Sequence, residues 1–425
     1  MPRAALCLSV VFCLTITARA ENWPQWRGPH SNGVSSETNL PIEWEKEDAT
    51  WRLPLPGPAG STPVIWDERI FLTSVDKADN LLLLCVGVDG KEQWRRVVSR
   101  GNRNARGDEG NSASPSPSTD GKLVWTCMAN GALACYTVDG ERKWAVDLQE
   151  RYGKYKIAFG MSATPVLDRG RLYVQLIHGE GKPSTREAIV VALEAATGKE
   201  IWKHQRDSDA RAECEHSYAS PMLYRHGGVE FLLTHGADYV IAHDLADGSE
   251  IWRCGELNPK ANYNPTLRFV ASPVCSPNLI VVPSAKNGPV FGIKPKQQGD
   301  ITELEDSFAW KRPRGTPDVP SPLVDGDLVY LCRENGNLVC LDAASGDLKY
   351  EERTTRGRHR ASPVLADGKI YLTCRENGTV TVVAAGTDFD ILAQNKMGEA
   401  IAASPAIANG RIYLRSFDAL YAIGK

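Results

Sequence analysis

Short apolar runs recur along most of the chain, and polar turn-forming dipeptides separate them. In the segment 364–372 (VLADGKIYL), two runs rich in β-branched and aromatic residues flank an Asp-Gly pair. This pattern predicts a β-hairpin, and it returns after Pro322 and after Pro405. Long stretches with the period of an amphipathic helix are almost absent, so the sequence favours an all-β chain over a helical solenoid.

The hairpins belong to a repeat. A Ser-Pro or Thr-Pro pair recurs at intervals of 41 to 56 residues, and its prolines are Pro63, Pro115, Pro165, Pro221, Pro273, Pro322, Pro363 and Pro405. In most cycles a second hairpin follows, whose last turn carries a glycine with an aromatic residue four positions later. Four strands in each of eight cycles predict the blades of a propeller.

An N-terminal segment can supply the strand that the last blade lacks and so close the ring of blades. The last cycle stops after three strands, at Ile423, and the segment 50–53 before the first marker carries Trp51. We therefore predict an all-β, eight-bladed β-propeller of four-stranded antiparallel blades at 46–425, with the last blade closed by the N-terminal strand around Trp51. Residues 21–45 are left as an N-terminal extension. Two stacked β-domains are the alternative.

The first twenty residues have the pattern of a secretory signal peptide. Arg3 precedes an apolar run, and Ala18-Arg19-Ala20 forms a small-residue cleavage pattern. Neither Cys7 nor Cys13 follows the small residue that lipid attachment requires. We expect a free protein, periplasmic or extracellular, with no transmembrane span in the mature chain; an uncleaved anchor is the alternative.

The charge balance and the cysteine pattern exclude several kinds of partner and metal site. With 49 basic and 52 acidic residues, the chain has no global field that would favour nucleic acid or an anionic membrane. The mature chain, expected to be monomeric, would keep nine cysteines, with no zinc-site spacing. Cys127 with Cys135 and Cys332 with Cys340 flank two hairpins at equal separation. Buried free thiols are expected, and disulfides stay open.

The repeated tryptophans are expected to hold neighbouring blades together, because each buries a large apolar surface. These residues are Trp51, Trp94, Trp144, Trp202, Trp252 and Trp310. Two cycles depart from the repeat: the fifth carries a polar insertion at 294–307, and the seventh has Asp390 where the aromatic residue is expected.

Segment 195–202 (AATGKEIW) resembles the tryptophan-docking repeat of the quinoprotein-type, eight-bladed propellers. That superfamily includes the pyrroloquinoline quinone (PQQ) dehydrogenases and BamB-like, non-enzymatic outer-membrane assembly factors. Segment 22–29 (NWPQWRGP), followed by Gly33-Val34 and Leu40-Pro41, resembles the start of exported PQQ-like propeller proteins of planctomycete-type bacteria. For most of that set the resemblance implies a fold and no established reaction.

Candidate site residues lie in the long connections that run up to the markers, at 95–112, 145–161, 203–218 and 253–270, and in shorter ones after them. We expect these loops to gather at one end of the central channel, where loops of repeat folds often carry function. The ligand-binding candidates are Asp108, Glu109, Asn111, Glu215, His216, Arg268, Asp318, Arg358 and His359. Lys156, Tyr218, Glu399 and the basic residues Arg312, Arg314 and Arg360 stand nearby.

Such a mixed-charge rim with a basic component is suited to a small anionic ligand, a carboxylate or a peptide, and solvated loop charges are the alternative. By resemblance, a PQQ dehydrogenase uses a carboxylate base, a calcium ion and often a disulfide between adjacent cysteines. The chain has no adjacent cysteine pair, although Asp108, Glu109 and Asn111 are of the type that binds calcium. Nucleophile-elbow, zinc-protease and P-loop motifs are also absent from it.

We therefore predict a non-catalytic, exported scaffold that binds an envelope protein, a peptide or another envelope ligand, as BamB does by resemblance, with no cofactor. The alternative is a PQQ-binding, calcium-dependent oxidoreductase acting on an alcohol or a sugar.

Overall fold

The computed structural model describes residues 21–105, 110–182 and 187–424. Eight antiparallel sheets of four strands follow one another along the chain and form an eight-bladed β-propeller, which confirms the predicted fold. Two sheets gain a short fifth strand in parallel, one at Val34–Ser35 and one at Gly299–Asp300. The blades are numbered 1 to 8 from the first marker.

The strands of each blade run from the innermost to the outermost in chain order in blades 1 to 7. For blades 1 to 4 they are Val64–Trp66, Arg69–Val75, Asn80–Gly87 and Glu92–Arg100; Ser118–Thr119, Leu123–Cys127, Ala132–Thr137 and Arg142–Asp147; Val166–Asp168, Arg171–His178, Glu187–Glu194 and Glu200–Gln205; and Met222–His226, Val229–Gly236, Tyr239–His243 and Glu250–Cys254.

The remaining blades repeat this order, except that the outermost strand of blade 8 comes from the N-terminal region. For blades 5 to 8 the strands are Val274–Cys275, Ile280–Pro283, Val290–Ile293 and Phe308–Arg312; Leu323–Asp325, Leu328–Cys332, Asn337–Asp342 and Leu348–Arg353; Val364–Ala366, Lys369–Thr373, Thr379–Ala384 and Ile391–Lys396; and Ala406–Ala408, Arg411–Arg415, Ala419–Ile423 and Trp51–Pro54. The described helices are short: the α-helix Leu148–Tyr152 and the 3-10 helices Lys46–Asp48, Ala212–Glu215, Lys260–Asn262 and Glu305–Ser307.

The two middle strands of a blade are buried on both faces because each face packs against a neighbouring blade. In blade 3, for example, all but the first residue of Arg171–His178 are buried. The outer strand Glu92–Arg100 of blade 1, in contrast, alternates between half-buried and exposed positions along most of its length. The core is therefore a ring of inter-blade layers around the channel.

The N-terminal strand closes the ring as predicted. Trp51–Pro54 pairs antiparallel with Ala419–Ile423, with Trp51 opposite Ala422. Glu399 fastens this closure: its carboxylate lies 2.7 Å from Lys46 Nζ and accepts a 2.6 Å hydrogen bond from the Tyr421 hydroxyl. The expectation that Glu399 belongs to the rim is wrong, since its partners lie in the closing segment and in blade 8.

Five of the six predicted tryptophans follow one docking rule. Each ring lies against the glycine in the last turn of the next blade, and its indole N–H donates to a carbonyl of that turn at 2.8 to 3.1 Å. A Cβ atom built on each of these glycines would stand 2.5 to 2.9 Å from the ring. The pairs are Trp51 with Gly90, Trp94 with Gly140, Trp144 with Gly198, Trp202 with Gly248 and Trp310 with Gly346.

The exceptions lie at the two irregular cycles. Trp252 is fully buried but its indole N–H has no partner among the described residues, and the insertion 294–307 adds Gly299–Asp300 beside its strand. In blade 7 the position of the docked aromatic residue holds Ala393, so the assignment to Asp390 from the glycine spacing is wrong. Trp44 from the N-terminal region packs into the same apolar cluster as Ala393. The sixth cycle uses Tyr350, which contacts Phe389 of blade 7.

The nine cysteines in the described part of the chain are all free, and eight of them are buried. Burial raises the pKa of Cys127 and of Cys332 to about 12, so both stay protonated thiols near neutral pH. Within the described ranges, no helix is long and apolar enough to cross a membrane.

Candidate functional site

Residues 21–45, the N-terminal plug, cross the channel at the end where the inner strands turn into the second strands. Trp23 pairs with Ile65 of blade 1 through two backbone hydrogen bonds of 2.8 and 2.9 Å. The Pro24 carbonyl accepts from Thr119 N of blade 2 at 2.8 Å, and Val34–Ser35 pairs with blade 7. The plug therefore closes this hairpin end of the channel.

The sequence of the plug explains its shape. Trp23 is fully buried, and Gly28, with φ of 81°, lies so close that a Cβ atom there would stand 2.8 Å from the ring. Arg27 is also fully buried, and its Nη2 donates to the carbonyls of Asn32 and Pro322 of blade 6. Burial lowers the pKa of Arg27 to about 9. The tryptophan, the glycine and the arginine of this segment thus hold the plug in the ring.

A cavity of about 630 Å³ occupies the channel above the plug. Trp26 forms its floor, and a belt of hydroxyl side chains forms its wall. Each belt hydroxyl accepts a hydrogen bond of 2.9 to 3.1 Å from the backbone N–H of the equivalent residue in the preceding blade. The seven acceptors are Ser116, Thr164, Ser220, Ser272, Ser321, Ser362 and Ser404.

The residue before the proline of most Ser-Pro and Thr-Pro markers accepts an inter-blade hydrogen bond in this belt. The belt also shows that one marker was assigned to the wrong proline. Ser116 takes the position equivalent to Thr164 and Ser220, so the marker of blade 2 is Pro117 and the prediction of Pro115 is wrong. The belt is interrupted between blades 8 and 1, where the buried Thr62 hydroxyl has no hydrogen-bond partner in the described part of the chain.

The belt leaves hydrogen-bond donors available to the cavity. Each hydroxyl oxygen already accepts a backbone N–H, and none of the seven hydroxyls donates to an acceptor in the described residues. A hydroxyl keeps one proton to donate. The wall can therefore donate several hydrogen bonds to a ligand rich in acceptors.

Charged and aromatic side chains form the mouth at the opposite, loop end. Arg268 pairs with Glu213 at 3.3 Å and lies over the Phe159 ring at 4.9 Å from its centroid. Lys286 Nζ donates to the Thr266 carbonyl at 2.6 Å. Burial, with the nearby Arg268 charge, lowers the pKa of Lys286.

Two polar groups of the mouth have unused hydrogen-bonding capacity within the described residues. The Tyr218 hydroxyl donates to no acceptor there, and burial raises the pKa of this phenol. One carboxylate oxygen of Asp318, Oδ1, is buried and has no partner in the same part of the chain. Buried polar atoms normally have partners, so both groups are suited to a ligand or to water.

The structure brings some of the predicted residues together at this mouth. Arg268 and Asp318 line the cavity, as do Tyr218 and Arg360 from the connections before blades 4 and 7. Sequence reasoning missed Glu213 and Phe159, although both lie in connections it had singled out. It also missed Lys286, which lies in a hairpin turn of blade 5, and Trp26, which comes from the plug; neither position carries a repeat signal.

The predicted pair on the connection before blade 4 faces away from the cavity. Glu215 is fully buried and its carboxylate accepts from Gly181 N at 2.8 Å. His216 is 8% exposed and its Nε2 lies 2.9 Å from the Gly179 carbonyl. Both contact the turn that follows the second strand of blade 3, so their placement on the rim is corrected.

The predicted pair before blade 7 is also displaced. His359 is fully buried, which lowers the pKa of its imidazole, and does not line the cavity. Arg358 forms a 2.5 Å ion pair with Glu376. The Asn111 amide donates to the Pro58 carbonyl at 2.7 Å and fixes a loop beside the cavity.

The other basic and acidic candidates are distributed differently. Asp108 and Glu109 lie outside the described residues. Arg312 donates to the Gly346 carbonyl of blade 6, and neither Arg312 nor Arg314 lines the cavity. Lys156 pairs with Glu180 at 3.2 Å. The basic component of the mouth therefore comes from Arg268, Lys286 and Arg360.

The predicted calcium ligands Asp108 and Glu109 lie outside the described residues, so a calcium site can be sought only in the rest of the chain. No group of three or more histidine, cysteine, aspartate or glutamate side chains there is placed to hold a metal. The mouth supplies Glu213 and Asp318 from different connections, whereas calcium needs six or more oxygens at one place.

A propeller with tryptophan-docked blades, a Ser-Pro belt and a cavity in its channel defines a PQQ-like repeat protein. Residues 129–388 match the family described as outer membrane protein assembly factor BamB, and the chain belongs to this family. No curated protein sequence matches the chain significantly.

Solved structures share the fold at low sequence identity. BamB from Moraxella catarrhalis is 13% identical, with 88% of this chain and 96% of that one covered and a TM-score of 0.61. A quinohemoprotein alcohol dehydrogenase from Comamonas testosteroni is 11% identical over 97% and 82%, with a TM-score of 0.69. A europium-containing methanol dehydrogenase is 10% identical over 94% and 90%, with a TM-score of 0.69. At these identities the likeness establishes the fold alone.

Proposed function

We propose that the chain is an exported, non-catalytic binding scaffold that takes an acidic peptide segment of an envelope protein at the mouth of its channel. The observation that carries the proposal is the cavity itself, which is closed by the plug, walled by hydroxyl donors and opened between basic side chains. Membership of the BamB-described family supports a scaffold. The leader at 1–20 and an envelope or extracellular location are parts of the same proposal.

The chemistry of the mouth favours an acidic peptide. A peptide carboxylate is attracted by Arg268, Lys286 and Arg360, and the peptide's backbone carbonyls can accept from the belt hydroxyls. Its N–H groups can donate to the unpartnered Oδ1 of Asp318. Arg268, Arg360 and Lys286 already contact Glu213, Glu334 and the Thr266 carbonyl, so a peptide carboxylate would share these cations with them. The belt hydroxyl protons and Asp318 Oδ1 have no hydrogen-bond partner among the described residues.

Binding calorimetry with a short acidic peptide and its glutamine-substituted analogue tests this proposal. We expect saturable binding of the acidic peptide only, weakened by salt. Arg268→Gln should lower the affinity about tenfold, since it removes a partly desolvated charge partner. Arg225→Gln is the matched control: Arg225 pairs with Asp168 and Glu230 outside the cavity, so the affinity should not change.

Two results would refute the scaffold proposal. One is equal binding of the acidic and neutral peptides, and the other is equal weakening by the two arginine variants. Peptides carrying the acidic sequences of proteins captured from envelope extract extend the test to natural partners.

The alternative function is a PQQ-binding oxidoreductase that acts on an alcohol or a sugar. It is supported by the quinohemoprotein alcohol dehydrogenase, which shares the fold over 97% of this chain. Adding PQQ with calcium to the purified protein and following binding and dye reduction separates the two functions. Saturable, calcium-dependent PQQ binding with dye reduction would replace the scaffold proposal.

A further inference from the structure

We propose that the amino terminus formed by cleavage between Ala20 and Glu21 is a structural group, whose ammonium ion pairs with Glu37 and locks the plug. This inference rests on the export part of the proposed function. It assigns a maturation site to the chain and a role to the new terminus.

The geometry around Glu21 carries the inference. Glu21 N lies 2.7 Å from Glu37 Oε1, and the other oxygen, Oε2, accepts from Gly410 N at 2.9 Å. Gly410 lies in the hairpin turn between the first two strands of blade 8. Glu37 therefore joins the beginning of the plug to the last blade.

The side chain of Glu21 makes a second set of contacts, with residues just before Glu37. The Glu21 carboxylate accepts from the Ser35 hydroxyl at 2.6 Å and from Ser36 N at 2.9 Å. The segment 21–37 is thus closed into a loop by contacts between its two ends. Trp23, only two residues after Glu21, is fully buried against blade 1.

Cleavage changes the chemistry of the nitrogen that Glu37 contacts. Before cleavage it is an uncharged amide with one N–H. Hydrolysis by a leader-removing peptidase adds one water across the Ala20–Glu21 amide bond, and the carboxylate leaves on Ala20. The nitrogen stays on Glu21 and takes up protons to become an ammonium with three donors. The 2.7 Å contact then becomes a charge-assisted hydrogen bond, which is shorter and stronger than a neutral one.

The sequence supports the same cleavage position independently. Ala18-Arg19-Ala20 supplies the small residues before the bond, and the first fully buried residue of the plug, Trp23, follows within three positions. The Asn22 side chain already accepts from Asp67 N at 2.7 Å. The distance from the cleaved bond to the packed plug is therefore a single residue.

Two forms of the full mature chain test the inference. One is exported and processed; the other is made without the leader and begins with an additional methionine before Glu21, which restores the amide. Intact mass should give Glu21 as the first residue of the exported form. Glu37→Gln should lower the folded-to-unfolded ratio of the processed form about threefold more than that of the extended form, as expected for a partly exposed ion pair.

Glu43→Gln is the matched control, because Glu43 is exposed in the same plug, and it should affect both forms equally. Hydrogen exchange at the Trp23 and Ile65 amides gives a local readout, and protection should fall most in the processed Glu37→Gln protein. Equal losses of stability in both forms, or a first residue other than Glu21, would overturn the inference.

The failures of the two proposals are distinguishable. A protein that is not exported and keeps its leader contradicts both the inference and the export part of the proposed function, whereas an exported protein that keeps its leader contradicts the inference alone. A protein processed at Glu21 without coupling to Glu37 contradicts the inference alone. Peptide binding by the processed wild-type protein is measured separately and tests only the scaffold.

Discussion

Replacement of Trp202 by alanine tests the rule that joins neighbouring blades. The ring lies between Tyr173 of blade 3 and Gly248 of blade 4, and the side chain is only 8% exposed. Its indole N–H donates to the Leu245 carbonyl at 3.1 Å. Removal therefore opens a void between two blades and leaves a carbonyl without its donor.

The magnitude follows from the buried area. A buried tryptophan removes about 150 to 250 Å² from water, equivalent to about 4 to 6 kcal/mol at 25 cal/mol per Å². The alanine methyl group and the compactness of the unfolded chain reduce this figure. We expect Trp202→Ala to lower the free energy of unfolding by about 3 to 5 kcal/mol.

A double-mutant cycle, measured by denaturant unfolding, separates the specific contact between Trp202 and Gly248 from the loss of buried apolar surface. Gly248→Ala introduces a Cβ atom 2.5 Å from the ring at a φ of 79°, so it should also be strongly destabilising in the wild-type background. Once Trp202 is alanine the clash disappears, and Gly248→Ala should then cost only its backbone strain, about 1 kcal/mol.

Lys203→Ala, an exposed neighbour on the same strand, is the control and should change stability by less than about 0.5 kcal/mol. A loss from Trp202→Ala no larger than that of this control, or strictly additive effects of the Trp202 and Gly248 variants, would refute the docking rule.

The remaining predictions concern the belt, the closure and the plug. Ser272→Ala removes a buried acceptor and should cost about 1 to 2 kcal/mol in denaturant unfolding, whereas Thr62→Val, at an unpartnered hydroxyl, should be nearly neutral. Burial alone would raise the pKa of Glu399, but its hydrogen bonds lower it to about 2 from 4.5. Its stabilisation, about 2 kcal/mol, is therefore present above pH 4.5 and lost as pH falls through 2, and Glu399→Gln should remove this dependence from unfolding titrations. Gly28→Ala should loosen the plug by strain and by a clash with Trp23, which increased amide exchange within residues 22–29 would show.

The fold was predictable because each of its signals is local. Asp-Gly and Asn-Gly turns define hairpins, and their recurrence defines blades. The closing strand followed from a missing fourth strand and from Trp51. The glycine against which each tryptophan packs was harder to predict. The repeat places Trp202 and Gly198 in one blade, but the Trp202 ring contacts Gly248 of the next blade. A repeat gives positions within a unit, while the contact between units depends on the three-dimensional arrangement.

The candidate site was predictable only in part, for two physical reasons. His216 and His359 stand before inner strands, but sequence does not show which way a connecting residue points, and both are buried away from the cavity. The plug has no counterpart in the repeat, and its contacts join residues hundreds of positions apart, such as Arg27 with Pro322. The sequence around its buried tryptophan and arginine therefore indicated a family, but it did not show where this segment lies in the propeller.

The plug limits what the channel can do. Because residues 21–45 close the hairpin end, a ligand of the proposed scaffold would enter and leave by the mouth between Arg268 and Asp318. The belt hydroxyl oxygens link neighbouring blades by accepting backbone N–H groups. The hydroxyl protons of the same residues stay free to donate, and they surround the cavity. The proposed scaffold would use this wall and mouth directly, whereas a calcium-dependent oxidoreductase would in addition need several oxygen ligands at one place. Dye reduction with added PQQ and calcium is therefore the measurement that separates the two functions.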